Sequence, residues 1–231
     1  MLLHTRTKFA DLGLLSYAEA WDYQNQLFDT LLQARLNDAY PEAFNHLLFV
    51  EHPHVYTLGR NGDADNLLIT TEFLQKIEAT YYKTDRGGDI TYHGPGQVVG
   101  YPILNLEAFA KGIKDYIDKL EQSVIETLKH YHIEAGRLKG ATGVWLDADT
   151  EPARKICAIG VRTSRGISMH GFAFNVNTNL DYFRYINPCG FVDKSVTSMQ
   201  KELGSPVDIK GVKTVLKQAL ANVFRMEFVP E

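Results

Sequence analysis

The chain has 231 residues, of which 45% are hydrophobic and 23% charged, and carries a formal net charge of -4. That supports one sizeable core, read as a single domain over residues 1–231, and gives no field that would attract nucleic acid or an anionic membrane surface. No apolar run reaches bilayer-spanning length, MLLHTRTKFADL has no hydrophobic secretion core, and Cys157 and Cys189 are too few for a disulfide framework, so a cytoplasmic protein with reduced thiols is expected.

Leu2 to Phe9 reads as an opening strand. Ser16 followed by Glu19 has the form of a capping box, and Ala20, Leu27, Leu31 and Leu32 recur at helical spacing, which predicts a helix over Tyr17 to Asn37. Its Trp21 and Phe28 are read as core. His46 to Glu51 and Val55 to Leu58 read as strands around a His52-Pro53-His54 turn. The H-x-H spacing has no carboxylate or cysteine cluster beside it, so no metal is expected. Gly59-Arg60-Asn61-Gly62-Asp63 follows as a polar glycine loop. A short helix over Thr71 to Ile77, capped by Thr70 or Thr71, leads to a strand over Thr80 to Lys83.

The stretch Arg86 to Pro102 reads RGGDITYHGPGQVVGYP. Gly87, Gly88, Gly94, Gly96 and Gly100 cluster there with Arg86, Thr91, Tyr92, His93 and Gln97. Glycine lets a backbone approach a ligand closely, and a loop dense in glycine and hydrogen-bonding side chains suits a site better than a plain connector. A long hairpin turn is the structural alternative. Gln97 to Ile103 is again strand-like.

Ile113, Tyr116, Ile117, Leu120, Val124, Leu128 and Tyr131 then mark an amphipathic helix over Ile113 to His132, with His130 and His132 at its solvated end. Thr142 to Leu146, Lys155 to Arg162 and Ile167 to Val176 read as strands, and Thr178 to Asp193 as irregular chain containing the turn Asn187-Pro188-Cys189-Gly190. Helices over Lys194 to Leu203 and Ile209 to Met226 complete the chain. Strands and helices in runs, rather than in strict alternation, predict an α+β layered fold with mixed sheets and packed helices.

A thiol attacks only as thiolate, and at an ordinary pKa near 8.5 it needs a neighbouring cation to ionise at neutral pH. Lys155 heads its strand and Cys189 sits in a turn between Pro188 and Gly190, which is suitable chemistry at positions whose spacing does not by itself bring them together. Strand alternation would put Cys157 on the same face as Lys155, Ile159 and Val161, among aliphatic neighbours where a cysteine serves as a small hydrophobe. Cys189, Cys157 and neither remain three open readings of the nucleophile.

RGGDITYHGPGQVVGYP resembles the signature of the lipoyl(octanoyl) transferases, an Arg-Gly-Gly-x-x-Thr-x-His-x-Pro-Gly-Gln block followed by Tyr-Pro. Lys155-Ile156-Cys157-Ala158-Ile159-Gly160, His170-Gly171-Phe172-Ala173-Phe174-Asn175 and Asn187-Pro188-Cys189-Gly190 resemble that family in the same order. The resemblance implies the catalytic fold shared with biotin and lipoate protein ligases, and octanoyl transfer from acyl carrier protein to a lysine of lipoyl domains through an enzyme thioester. The acceptors it implies are the lipoyl domains of 2-oxoacid dehydrogenases and the glycine cleavage H protein, with no cofactor. Carried over residue by residue, Cys189 is the acyl-accepting thiol and Lys155 lowers its pKa. Arg86, Gly87, Gly88, Asp89, Ile90, Thr91, Tyr92 and His93, with Ala158, Ile159 and Gly160 and with Gly171, Phe172 and Ala173, line the substrate pocket. Cys157 stands where the family more often has a small residue.

Acyl transfer between thiols needs no ATP, only a nucleophile and oxyanion donors, for which backbone N–H groups near Gly96 or in the Cys189 turn are candidates. Ala158, Gly171 and Ala173 are small enough to leave room for an acyl chain, or to serve ordinary strand packing. Arg137, Lys139, Arg154, Lys155, Arg162 and Arg165 outnumber Asp147, Asp149 and Glu151, which suggests a basic face toward an acidic carrier or a solvated strand rim. Two alternatives remain: an ATP-dependent lipoate or biotin protein ligase, which gives Cys189 no role, and a non-catalytic acyl- or nucleotide-binding module.

Overall fold

The computed structural model describes residues 5–37, 44–148, 152–187 and 195–230. Its main sheet is mixed. β1 (Arg6–Leu14) pairs in parallel with β2 (Asn45–Glu51) and with the short β12 (Glu227–Phe228). β2 pairs antiparallel with β6 (Gln97–Ile103), and β6 with β10 (Ile167–Asn175). β10 pairs with β9 (Arg154–Ser164), β9 with β8 (Ala141–Leu146), and β8 with β7 (Gly136–Leu138), all antiparallel. β11 (Ser195–Val196) runs parallel to β9. A second sheet places β3 (Val55–Leu58) between β4 (Thr80–Lys83) and β5 (Ile90–His93).

The main sheet is covered on both faces. α1 (Tyr17–Leu36) begins at a true capping box, with the Glu19 amide donating to Ser16 Oγ and the Ser16 amide to Glu19 Oε2. Its Ala20, Phe28 and Leu31 pack on Leu48, Val50, Val99, Tyr101, Ile103, Met169 and Ala173 of the sheet. The opposite face meets α4 (Ile113–His130) and α6 (Ile209–Phe224). Their buried residues, Tyr116, Leu120, Val124 and Leu128 on one and Val212, Leu216, Leu220 and Phe224 on the other, recur every four residues or so and make one stripe each. α2 (Thr71–Lys76) is capped by Thr70, and α3 (Leu106–Phe109) by Asn105.

The α+β architecture is the expected one, and β3, β4 and β6 have the expected bounds. Five expectations need correction. The opening strand runs to Leu14 rather than ending at Phe9, because alternation there is masked by half-buried residues on an outer strand. Residues Ile90–His93, read within the loop, form β5. Gly59, Thr84 and Arg60 bind the backbone around them, so this segment closes a sheet rather than an open loop. Of the expected helix over Lys194 to Leu203, Lys194 lies outside the described residues and the rest is β11 followed by the short α5 (Met199–Leu203), since Thr197 N donates to Lys155 O and Ser198 caps the helix. α4 stops at His130 and α6 at Phe224, where Arg225 in the left-handed region terminates it.

Candidate active site

A cavity of about 290 Å³ opens between the α1 face of the main sheet and the small sheet. Its floor follows from strand register. Ala173 of β10 pairs with Ala158 of β9 on one side and Val99 of β6 on the other, and Gly171 pairs with Gly160. Ala158, Gly160, Gly171 and Ala173 therefore form a block with almost no side chain above it, on two neighbouring strands. Asn175, paired with Gln97, bounds the block at one end, beside Lys155.

Lys155 reaches that face because β9 bulges. Val144 pairs with Cys157 while Trp145 pairs with Lys155, so β9 carries the extra residue Ile156 and its alternation slips there. Gly143 makes the slip possible: its φ is +123°, and a Cβ would stand 2.6 Å from Cys157 O. Glu121 Oε1 accepts the Gly143 amide at 2.9 Å, while Arg137 pairs with the same carboxylate. The Lys155 ammonium lies 4.5 Å above the Trp145 ring, which itself donates to Ala141 O.

The expected shared face of Lys155 and Cys157 is thus overturned. Lys155 lines the cavity, whereas Cys157 is fully buried in the opposite core with Val144, Phe172 and Phe174. Burial pushes the Cys157 thiol well up, and the attraction of Lys155 only partly opposes it. Such a thiol is protonated and inert at neutral pH.

The roof comes from the glycine stretch. Gly160 lets it approach: a Cβ there would meet Gly87 O at 2.8 Å and Arg86 Cδ at 3.2 Å, and the Gly87 amide donates to Val161 O. The Arg86 guanidinium donates to Thr57 O, Thr57 Oγ1 and Gly87 O. His93, buried, joins Gln97 Oε1 through Nδ1 at 2.8 Å and Thr57 Oγ1 through Nε2 at 3.4 Å. Burial, with help from His52 and Arg86, holds its pKa well below the usual imidazole value, so the ring is neutral. Gln97 continues the chain of bonds to Asn175, and Asn175 to Thr197 O next to β11.

Arg86, Gly88, Asp89, Ile90, Thr91, His93, Lys155, Ala158, Ile159, Gly160, Gly171, Phe172 and Ala173 all border this cavity. Gly87 and Tyr92 do not. Gly87 pins the loop to β9, and Tyr92 turns away to bond His54 Nδ1 and stack on Tyr182. Cys189 lies outside the described residues, as do Pro188 and Gly190 of its turn, while the Asn187 amide donates to Asn66 O at 2.8 Å. The described chain on both sides of it, Phe183 before and Ser195 and Val196 after, lines the cavity.

Other expectations change. The Gly96 amide donates to Glu51 Oε2 at 3.0 Å and is committed there, not to an oxyanion. His52 donates to Leu15 O and accepts from Tyr101, so the H-x-H pair faces two different partners. Of the basic side chains between Arg137 and Arg165, Arg137, Arg154 and Arg162 pair with Glu121, with Asp147 and Glu202, and with Asp85. Three of the six basic side chains counted there are thus paired with acids of the chain itself. Gly171 is small for packing, since a Cβ would lie 2.1 Å from Gly100 O.

Sequence reasoning missed Tyr17, Val99, Tyr101, Trp145 and Asn175 as cavity residues. It also missed Asp85, which holds His170 Nε2 at 2.8 Å and Arg162 at 2.7 Å at the root of the glycine stretch. The His170 bond is the chief cause that keeps the Asp85 carboxyl below its usual pKa. A positive φ at His170, unusual for that residue type, would have been the signal, and it is invisible in one sequence.

Residues 16–221 match a profile of the lipoyl protein ligase A/B catalytic domain. The chain is 55% identical to an octanoyltransferase of Bacteroides fragilis, over 93% of this chain and 96% of that one. It is 49% identical to an octanoyltransferase of Flavobacterium johnsoniae, over 98% and 100%. Among solved structures, a bi-partite lipoate protein ligase of Thermoplasma acidophilum superposes with a TM-score of 0.72 at 14% identity, covering 99% of this chain and 87% of that one. A biotin protein ligase of Aquifex aeolicus gives a TM-score of 0.53 at 14% identity, over 94% and 70%. At that identity the superpositions speak to fold alone.

Proposed function

Because the chain belongs to the lipoyl protein ligase A/B catalytic domain family, we infer an acyltransferase that moves an octanoyl group onto lipoyl-domain proteins in lipoate biosynthesis. The donor is octanoyl-acyl carrier protein, the acceptors are lysines of lipoyl domains and of the glycine cleavage H protein, and the reaction is cytoplasmic. One observation carries the reading: an ammonium, Lys155, stands at the polar end of a trough floored by Ala158, Gly160, Gly171 and Ala173. Each methylene buried there is worth about 0.8 kcal/mol, so an acyl chain gains several kcal/mol from the trough.

Cys189 is the nucleophile, held as thiolate by Lys155. Its assignment is supported by the chain on either side of it bordering the cavity and by the inertness of Cys157. The thiolate attacks the octanoyl thioester carbonyl, the carrier thiolate leaves, and Lys155 gives it a proton. The now neutral Lys155 then takes a proton from the attacking lysine amine as the amide forms, and Cys189 departs as thiolate. The neutral His93, bridging Thr57 and Gln97, positions the roof and moves no proton.

Mixing the protein with octanoyl-acyl carrier protein, without nucleotide, tests this. Intact mass should show one octanoyl adduct on wild type and Cys157→Ala and none on Cys189→Ala, and adding a lipoyl domain should discharge it. Strict dependence on ATP would overturn the transferase reading, and an adduct lost only in Cys157→Ala would overturn the nucleophile.

A further inference from the structure

The cavity has two ends of different character. Register puts Lys155, Asn175 and Ser195 at one and Tyr101 at the other, with Val99 midway opposite Ala173, and Tyr17 borders the cavity beside the His52 ring that Tyr101 bonds. The far end is built rigidly. Tyr101 donates to His52 Nε2 at 2.8 Å, and His52 is fixed in turn on Leu15 O. The Tyr17 ring lies 5.4 Å from His52, 5.5 Å from Tyr82 and 5.9 Å from Trp21, and stacks on His93 at 6.1 Å. It is only 3% exposed, and as the first residue of α1 it is set by the capping box beside it. Four rings therefore hold it where it borders the cavity.

The spacing between these ends matches one acyl length. Gln97 pairs with Asn175, and Tyr101 follows on the same face of β6, roughly 13 Å further along at about 3.3 Å per residue. An extended octanoyl group measures roughly 9 Å from carbonyl to methyl with carbon–carbon bonds of about 1.5 Å. With a van der Waals contact at each end it fills that span. A dodecanoyl group, roughly 14 Å long on the same bond length, does not fit.

We propose that Tyr17, backed by the His52–Tyr101 hydrogen bond, is the end stop that sets acyl chain length in this enzyme. This rests on the orientation given above, with the thioester at the Lys155 end. The terminal methyl meets the Tyr17 ring, and a longer chain would have to displace an aromatic cluster that is already close-packed.

Competition among hexanoyl-, octanoyl-, decanoyl- and dodecanoyl-acyl carrier proteins, with a lipoyl domain as acceptor and products read by intact mass, tests the stop. Tyr17→Ala should raise the decanoyl-to-octanoyl product ratio about tenfold or more, the discrimination that one or two methylenes command in an apolar pocket. Val99→Phe, which fills the trough part-way to the stop, should raise the hexanoyl-to-octanoyl ratio and keeps the test open if Tyr17→Ala does not fold. Unchanged ratios in both folded variants overturn the stop while leaving octanoyl transfer intact. Relaxed length in Trp145→Ala but not in Tyr17→Ala overturns it too, since the chain then points the other way. Absence of octanoyl transfer by the wild type instead removes the functional reading beneath it.

Discussion

The two faces of β9 show what one strand can separate. On one side Cys157 lies in dry aliphatic packing and its thiol is pushed up by burial. On the other, Lys155, Ala158 and Gly160 face an open cavity. A strictly alternating strand would have placed the ammonium beside the buried thiol, and a single extra residue at Ile156 moves it to the working face. A bulge is therefore the cheapest way to change which chemistry a charged side chain serves.

Removing the cation from the working face breaks the comparison most severely. Lys155→Ala should reduce nucleotide-free octanoyl transfer about 10²–10⁴-fold, the range for loss of a proton-handling group, with little change in far-UV circular dichroism. Gly160→Val comes next. Its side chain would collide with Gly87 O and the Arg86 stem, which forces the roof outward, and urea titration should show a loss of about 1–3 kcal/mol together with weaker octanoyl-carrier binding.

Acid sharpens the contrast through His52, at the far end of the cavity, whose pKa burial lowers from 6.5 to about 4. Below pH 6.5 the unfolded chain binds a proton there that the folded protein refuses until about pH 4, so stability falls as pH falls through that window. The loss between pH 7 and pH 5 should be about 2 kcal/mol from this ring alone, and His52→Gln should flatten that part of the stability profile. The smallest effect belongs to the dry face. Cys157→Ala should cost about 1 kcal/mol in unfolding, as for one buried methylene-sized group, and leave the rate of adduct formation unchanged.

Much of the cavity lining was legible. The glycine stretch, the Ala158–Gly160 and Gly171–Ala173 segments and Lys155 do border one cavity, because period-two strands in register carry a local sequence pattern directly into a surface. Gly87 and Tyr92 were misplaced for the same reason in reverse: within a motif, alternate residues point to opposite sides, and which side is the cavity depends on the sheet laid against it. Tyr17 and Tyr101 carry no local sign that they meet at one cavity. One opens a helix and the other closes the glycine signature, and they come together at the cavity only when α1 and β6 are packed around His52.

Apolar periodicity, helix caps and turn residues settled the kinds of elements, most of their limits and the α+β class, since these depend on interactions within a few residues. Their motifs also carried the chemistry of acyl transfer. Folding in three dimensions settled which face of β9 Lys155 takes, which thiol is sealed away and which side chains border the cavity. Those outcomes turn on a one-residue register slip and on contacts between distant strands and a helix, and nothing in a short window of chain encodes either.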